Sequence, residues 1–169
     1  MRRTLVIFAT LVTLWAIVAE LNHALSGIRV YVFAGALFIL FAALTQPRRS
    51  GLAASLLAGL LCDANTPVGF GTHVLLFAAA HLTLFHIRDR VPRDDNVSAI
   101  IVVLLTNLFL FLVFSFTQIH AAPQPAAVWP RLIWDLVCSQ VFLVLVTPWF
   151  LALQDRSLVL AHVARHEID

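Results

Sequence analysis

Asp63 is the residue in this chain best placed to do chemistry. It lies in Gly59-Leu60-Leu61-Cys62-Asp63-Ala64-Asn65-Thr66, a carboxylate beside a thiol, with an amide and a hydroxyl just behind it. Such a carboxylate can act as a base, hold a cation, or cap backbone amides. The Asn65-Thr66 pair and the helix-end setting favour the cap, with a ligand or ion contact as the alternative. His73, His81 and His86 follow on the next apolar segment. Their spacings of eight and five miss the i, i+4 arrangement of a helical metal pair, so packing and interhelical hydrogen bonds are the expected use. A further set, Glu20, Arg29, Arg131 and Asp135, is a candidate outer polar cluster. Arg131 and Asp135 are four residues apart and share a helix face as a possible ion pair. Glu20 sits beside Asn22 and His23 and reads as an interfacial side chain.

No nucleophile–base pairing, H-E-x-x-H, P-loop or Cys-rich cluster accompanies these residues. The expectation is a protein that is not an enzyme, with no catalytic residue, no metal and no cofactor. Cys62 and Cys138 both lie in apolar runs and read as buried thiols rather than a disulfide.

The elements that must position these groups are membrane helices. Of 169 residues, 61% are hydrophobic and only 12% charged, and the mean hydropathy is +0.93. A soluble core of this length does not need so much apolar sequence. The net charge of +2 is spread over segment ends and offers no basic face for nucleic acid. The N-terminal run starts like a signal peptide but is too long and lacks a clean A-x-A site, so it reads as a retained first span.

Apolar segments near 4–22, 28–45, 51–62, 69–87, 97–119 and 132–154 predict six transmembrane helices in one membrane domain over residues 1–169. The third is short: twelve residues at ~1.5 Å each fall well below a ~30 Å hydrocarbon core. It is expected to break at Cys62-Asp63, where Pro67, Gly69 and Gly71 follow. All eleven basic residues are Arg, and they are unevenly placed. Arg2, Arg3, Arg48, Arg49, Arg88, Arg90, Arg93, Arg156 and Arg165 fall on one side, against Arg29 and Arg131 on the other. That asymmetry predicts cytoplasmic termini and a multi-pass membrane protein. Pro92 and Asp94 shape a charged cytoplasmic turn, 120–130 forms an outer loop, Pro130 opens the last helix, and Pro148 kinks it.

Small residues suggest close helix contacts. Ala54 and Ala58, with Gly51 one turn earlier, make a small-xxx-small face; packing inside the protein is its expected use, and as the alternative it is a candidate docking face for a partner's helix. Ala16 and Ala19 form a second patch, and Gly35 and Ala36 a third.

The segment Gly59-Leu60-Leu61-Cys62-Asp63, then Pro67-Val68-Gly69 and the apolar Leu75-Leu76, resembles the signature of the MreD family of rod shape-determining proteins. Its motif loop corresponds here to Gly59, Asp63, Pro67 and Gly69, with a shorter interval between Asp63 and Gly69 than in the family pattern. The resemblance implies an all-α, six-helix bundle similar to the S components of energy-coupling factor transporters. It further implies a non-catalytic scaffold of the cell-elongation machinery, needed for rod shape and lateral peptidoglycan synthesis. The partners implied are an MreC-like single-span protein and, through it, an MreB-like actin filament and peptidoglycan synthases. The alternative is a substrate-binding S component of a vitamin transporter, motivated by the outer polar residues and the A-x-x-x-A pattern.

Overall fold

Where Leu, Ala, Val and Phe run on without interruption, helix is favoured, because in hydrocarbon each backbone polar group must be bonded within its own segment. The computed structural model describes residues 2–66, 69–91, 96–119 and 125–161. Pro67, the turn residues 92–95, the loop residues 120–124 and Arg165 lie outside them. Six α-helices follow in order: α1 (Arg2–Leu25), α2 (Leu37–Thr45), α3 (Arg48–Asn65), α4 (Thr72–Ile87), α5 (Asn96–Ile119) and α6 (Pro125–Leu160). Among the described residues there is no strand. Three stretches are long and apolar enough to cross a membrane: Arg2–Ile28, Val97–Thr117 and Val128–Leu160. The chain is an all-α membrane protein.

Cross-contacts show how the helices run. Thr10 on α1 bonds Gln154 on α6, Ser55 on α3 bonds His81 on α4, and Asp63 on α3 bonds His73 on α4. The two α3–α4 pairings make those helices antiparallel, and α1 meets α6 near the end of the latter. α3 packs against α1, α2 and α4, whereas α5 and α6 pack chiefly on each other. α5 has the two faces expected of a helix between protein and lipid. Val97, Ile101, Leu105 and Phe109 are exposed, while Val103, Asn107, Leu110 and Phe114 are buried.

Three elements differ from the sequence expectation. α3 does not stop at Cys62-Asp63 but continues through them to Asn65, giving 18 residues and roughly 27 Å. Its last turn is held by side chains returning to the helix's own carbonyls: Asn65 Nδ2 donates to Leu61 O at 2.7 Å and Thr66 Oγ1 to Cys62 O at 2.9 Å. α6 starts earlier than expected, at Pro125, which leaves both Pro130 and Pro148 inside the helix.

The interruption lies instead in the second segment. Expected as a helix over 28–45, it is helical only from Leu37, and residues 29–36 are non-helical. Arg29 turns the chain in a left-handed conformation with φ 56°. Val30-Tyr31-Val32-Phe33 follows, a run of β-branched and aromatic residues that fits extended chain better than helix. Polar side chains from three helices then supply the missing backbone partners. The N–H groups of Tyr31 and Phe33 donate to Asp135 Oδ1 and Ser139 Oγ on α6, each at 2.9 Å. Asn22 on α1 accepts from Val32 N–H at 2.7 Å and donates to Val32 O at 3.0 Å. Asn107 on α5 donates to Phe33 O at 3.0 Å and accepts from Ala36 N–H at 3.3 Å. Amides that alternate between α6 and α1 mark an extended chain.

Asn107 is fully buried, so Asn107→Ala strands one carbonyl and one N–H. The expected cost is about 2–4 kcal/mol, from roughly 1–3 kcal/mol per unsatisfied buried group. Thermal unfolding of the detergent-solubilised chain checks this. A midpoint equal to that of the unaltered chain removes Asn107 from the role.

Candidate functional site

The buried carboxylate of Asp63 is the centre of the motif region. Its side chain is wholly buried, and every bond it makes goes to the start of α4. Oδ2 accepts from the N–H groups of Gly71 at 2.9 Å and Val74 at 3.2 Å. Oδ1 accepts from His73 N–H and from the His73 ring Nδ1, at 2.9 and 2.8 Å. The first N–H groups of a helix have no partner within it and carry partial positive charge. Asp63 satisfies them from the neighbouring helix, and the arrangement is a latch.

Close approach makes the latch possible. A Cβ on Gly59 would lie 2.7 Å from Val74 Cα and 2.9 Å from Val74 N, so α3 and α4 can meet here only without a side chain. Gly71 supplies the left-handed turn into α4, with φ 96°. The His73 ring stacks on Phe114 of α5 at 4.3 Å and meets the edge of Phe77 at 5.8 Å. His73 as the partner of Asp63 was not evident from sequence, because ten residues and an unread turn separate them.

The small-residue face lies inside the protein. Ala54 and Ala58 are 0% exposed and belong to the core cluster. A Cβ on Gly51 would collide with Ala42 O of α2 and come within 2.8 Å of His81 Cε1. The face of Gly51, Ala54 and Ala58 is occupied by the protein's own helices and has no room for a partner's. Gly35 and Ala36 are likewise buried, whereas Ala16 and Ala19 on α1 are exposed.

The outer polar set divides. Arg131 and Asp135 approach at 3.8 Å, with Arg131 largely exposed and Asp135 buried. Asp135 also holds the Tyr31 amide, so it works as a structural acceptor. Glu20 and Arg29 are exposed, and among the described residues neither is hydrogen-bonded or ion-paired to Arg131 or Asp135. Toward the opposite end, Ser55 Oγ and His81 Nδ1 lie 3.0 Å apart, fully buried. Cys62 is buried, Cys138 half-buried, and both are free thiols. Among the described residues no three His, Cys, Asp or Glu side chains converge on a metal position.

Asp63→Ala leaves three backbone N–H groups and the His73 ring without an acceptor. The expected loss is about 3–5 kcal/mol, the range for breaking a buried charged partner. His73→Phe keeps the backbone bonds and the ring stacking, so it should cost only about 1–3 kcal/mol. Comparing the two unfolding midpoints checks the latch, and equal midpoints overturn it.

Searches for relatives agree with the motif and add little else. No curated protein and no solved structure matches the chain. The family described as rod shape-determining protein MreD matches over residues 1–156. The latch of Gly59, Asp63 and Gly71 falls inside that match, and the chain belongs to the MreD family.

Proposed function

We infer that this chain is a non-catalytic scaffold of the bacterial cell-elongation machinery, organising partners by helix packing within the inner membrane. Membership of the MreD family carries the reading. The geometry supports it, because Asp63 accepts from three backbone N–H groups at the start of α4 and from the ring of His73, and these bonds hold the two helices together. In the proposed orientation Arg2, Arg3, Arg48, Arg49, Arg88, Arg90 and Arg156 lie at the cytoplasmic ends of the helices, and Arg29 and Arg131 at the outer ends. Six crossings follow, with the second completed by extended chain. Nine helical residues reach roughly 13 Å, and the five residues 30–34, if extended, add up to about 17 Å.

The partner is an MreC-like protein with a single transmembrane helix, linked through it to peptidoglycan synthases and an MreB-like filament. With the α3 face filled, the small-residue surface we assign to such a helix is the open side of α1. Ala9 and Ala16 are exposed there, seven residues apart on one stripe, and small side chains let a second helix come close. Ala16→Leu should sharply reduce co-purification with the MreC partner and leave thermal stability unchanged. Ala58→Leu should do the reverse at first hand, overpacking the core by about 1–3 kcal/mol. Undiminished co-purification with Ala16→Leu counts against the α1 face.

A further inference from the structure

A cavity of about 210 Å³ lies between α1, the non-helical chain before α2, the last turn of α3 and the first turns of α4. Its rim is polar, with Tyr31 and Asn65 exposed and Thr66 half-buried, while its floor holds the buried rings of Phe38 and Phe77. Those two rings stack at 6.1 Å, with 21° between their planes.

Three polar groups of the inner wall have no hydrogen-bond partner among the described residues. His73 is 95% buried, being 5% exposed, and its ring lines the cavity. Its Nδ1 is bonded to Asp63, and Nε2 has no hydrogen-bond partner among the described residues. A carboxylate only accepts, so Nδ1 carries the proton, and in the neutral ring Nε2 is left as an acceptor. Ala34 and Gly35 also line the cavity. Their N–H groups, at the entry to α2, find no acceptor among the described residues. A buried backbone N–H is costly unless bonded. The wall therefore offers donors and an acceptor above an aromatic floor, and the lining contains no Arg, Asp or Glu.

We propose that this cavity binds a small, uncharged, ring-containing molecule. Such a ligand presents a carbonyl-type oxygen to the Ala34 and Gly35 amides and an N–H or O–H to His73 Nε2. The absence of charged lining residues disfavours an ion, and the size suits one ring with its substituents better than a drug-sized ligand of ~300–1,000 Å³. A lipid acyl chain fits the floor but leaves the amides and Nε2 unbonded. The inference is independent of which helix face binds the MreC partner.

The test uses the full chain in nanodiscs and three probes of one size, benzamide, toluene and benzoate, with binding read by ligand-observed NMR. Benzamide should bind saturably and about tenfold more tightly than either of the others, a difference of about 1.4 kcal/mol. Ala19→Trp, at an exposed position on the cavity wall, should abolish that binding without changing the unfolding midpoint. If Ala19→Trp lowers the folded yield, the ranking of the three probes on the unaltered chain decides. Absence of saturable benzamide binding overturns the proposal, as does toluene binding equally well. So does native mass spectrometry showing a retained lipid that Ala19→Trp expels.

Discussion

Backbone amides that leave helical geometry inside an apolar bundle must find another partner, and much of this molecule answers that demand. In hydrocarbon there is no water to take a free N–H or C=O. Residues 29–36 are non-helical within the bundle, and Asn22, Asn107, Asp135 and Ser139 bond them from α1, α5 and α6. Those side chains tie the α5–α6 hairpin to the rest of the protein at the same time. α5 makes few other close approaches, so the clamp and the ring stack of Phe114 on His73 carry much of its attachment.

The second demand is proximity between α3 and α4. Gly51 and Gly59 remove the side chains that would hold the helices apart, and Ala54 and Ala58 fill the seam with little volume. Once the helices meet, Asp63 reaches the first amides of α4 and takes the place of a local N-cap. The G-L-x-x-D motif then has a mechanical explanation: the Gly permits the contact and the Asp, four residues on, exploits it. Together these devices hold α3 and α4 as one rigid unit.

Legibility varied with the kind of signal. Apolar length revealed the membrane class, and the pairing of Arg131 with Asp135 followed from their i, i+4 spacing. The capping role expected of Asp63 matches its bonds, though the recipients lie in the first turn of α4 as well as the loop. The break in the second segment was missed, although Val30-Tyr31-Val32-Phe33 carried a β-branched and aromatic signal within the hydropathy. Hydropathy counts apolar residues and is blind to whether they sit in helix or extended chain. Asn22 and Asn107 looked like ordinary interhelical groups, because nothing local shows that their partners are displaced backbone.

Sequence by itself determined that this is an all-α membrane protein, that Asp63 belongs to a family motif, and that its small residues mark close packing. Each follows from chemistry local to a segment: transfer of apolar side chains from water, the need of a carboxylate for donors, and the size of Ala and Gly. Only the tertiary structure decided which surfaces those properties face. It turned the Gly51–Ala58 stripe inward, gave Asp63 to the α4 terminus and its histidine, and placed the broken backbone before α2 instead of after Cys62. The physical reason is that burial and hydrogen-bond satisfaction depend on neighbours from distant parts of the chain, and a helix stripe carries no record of which neighbour it meets.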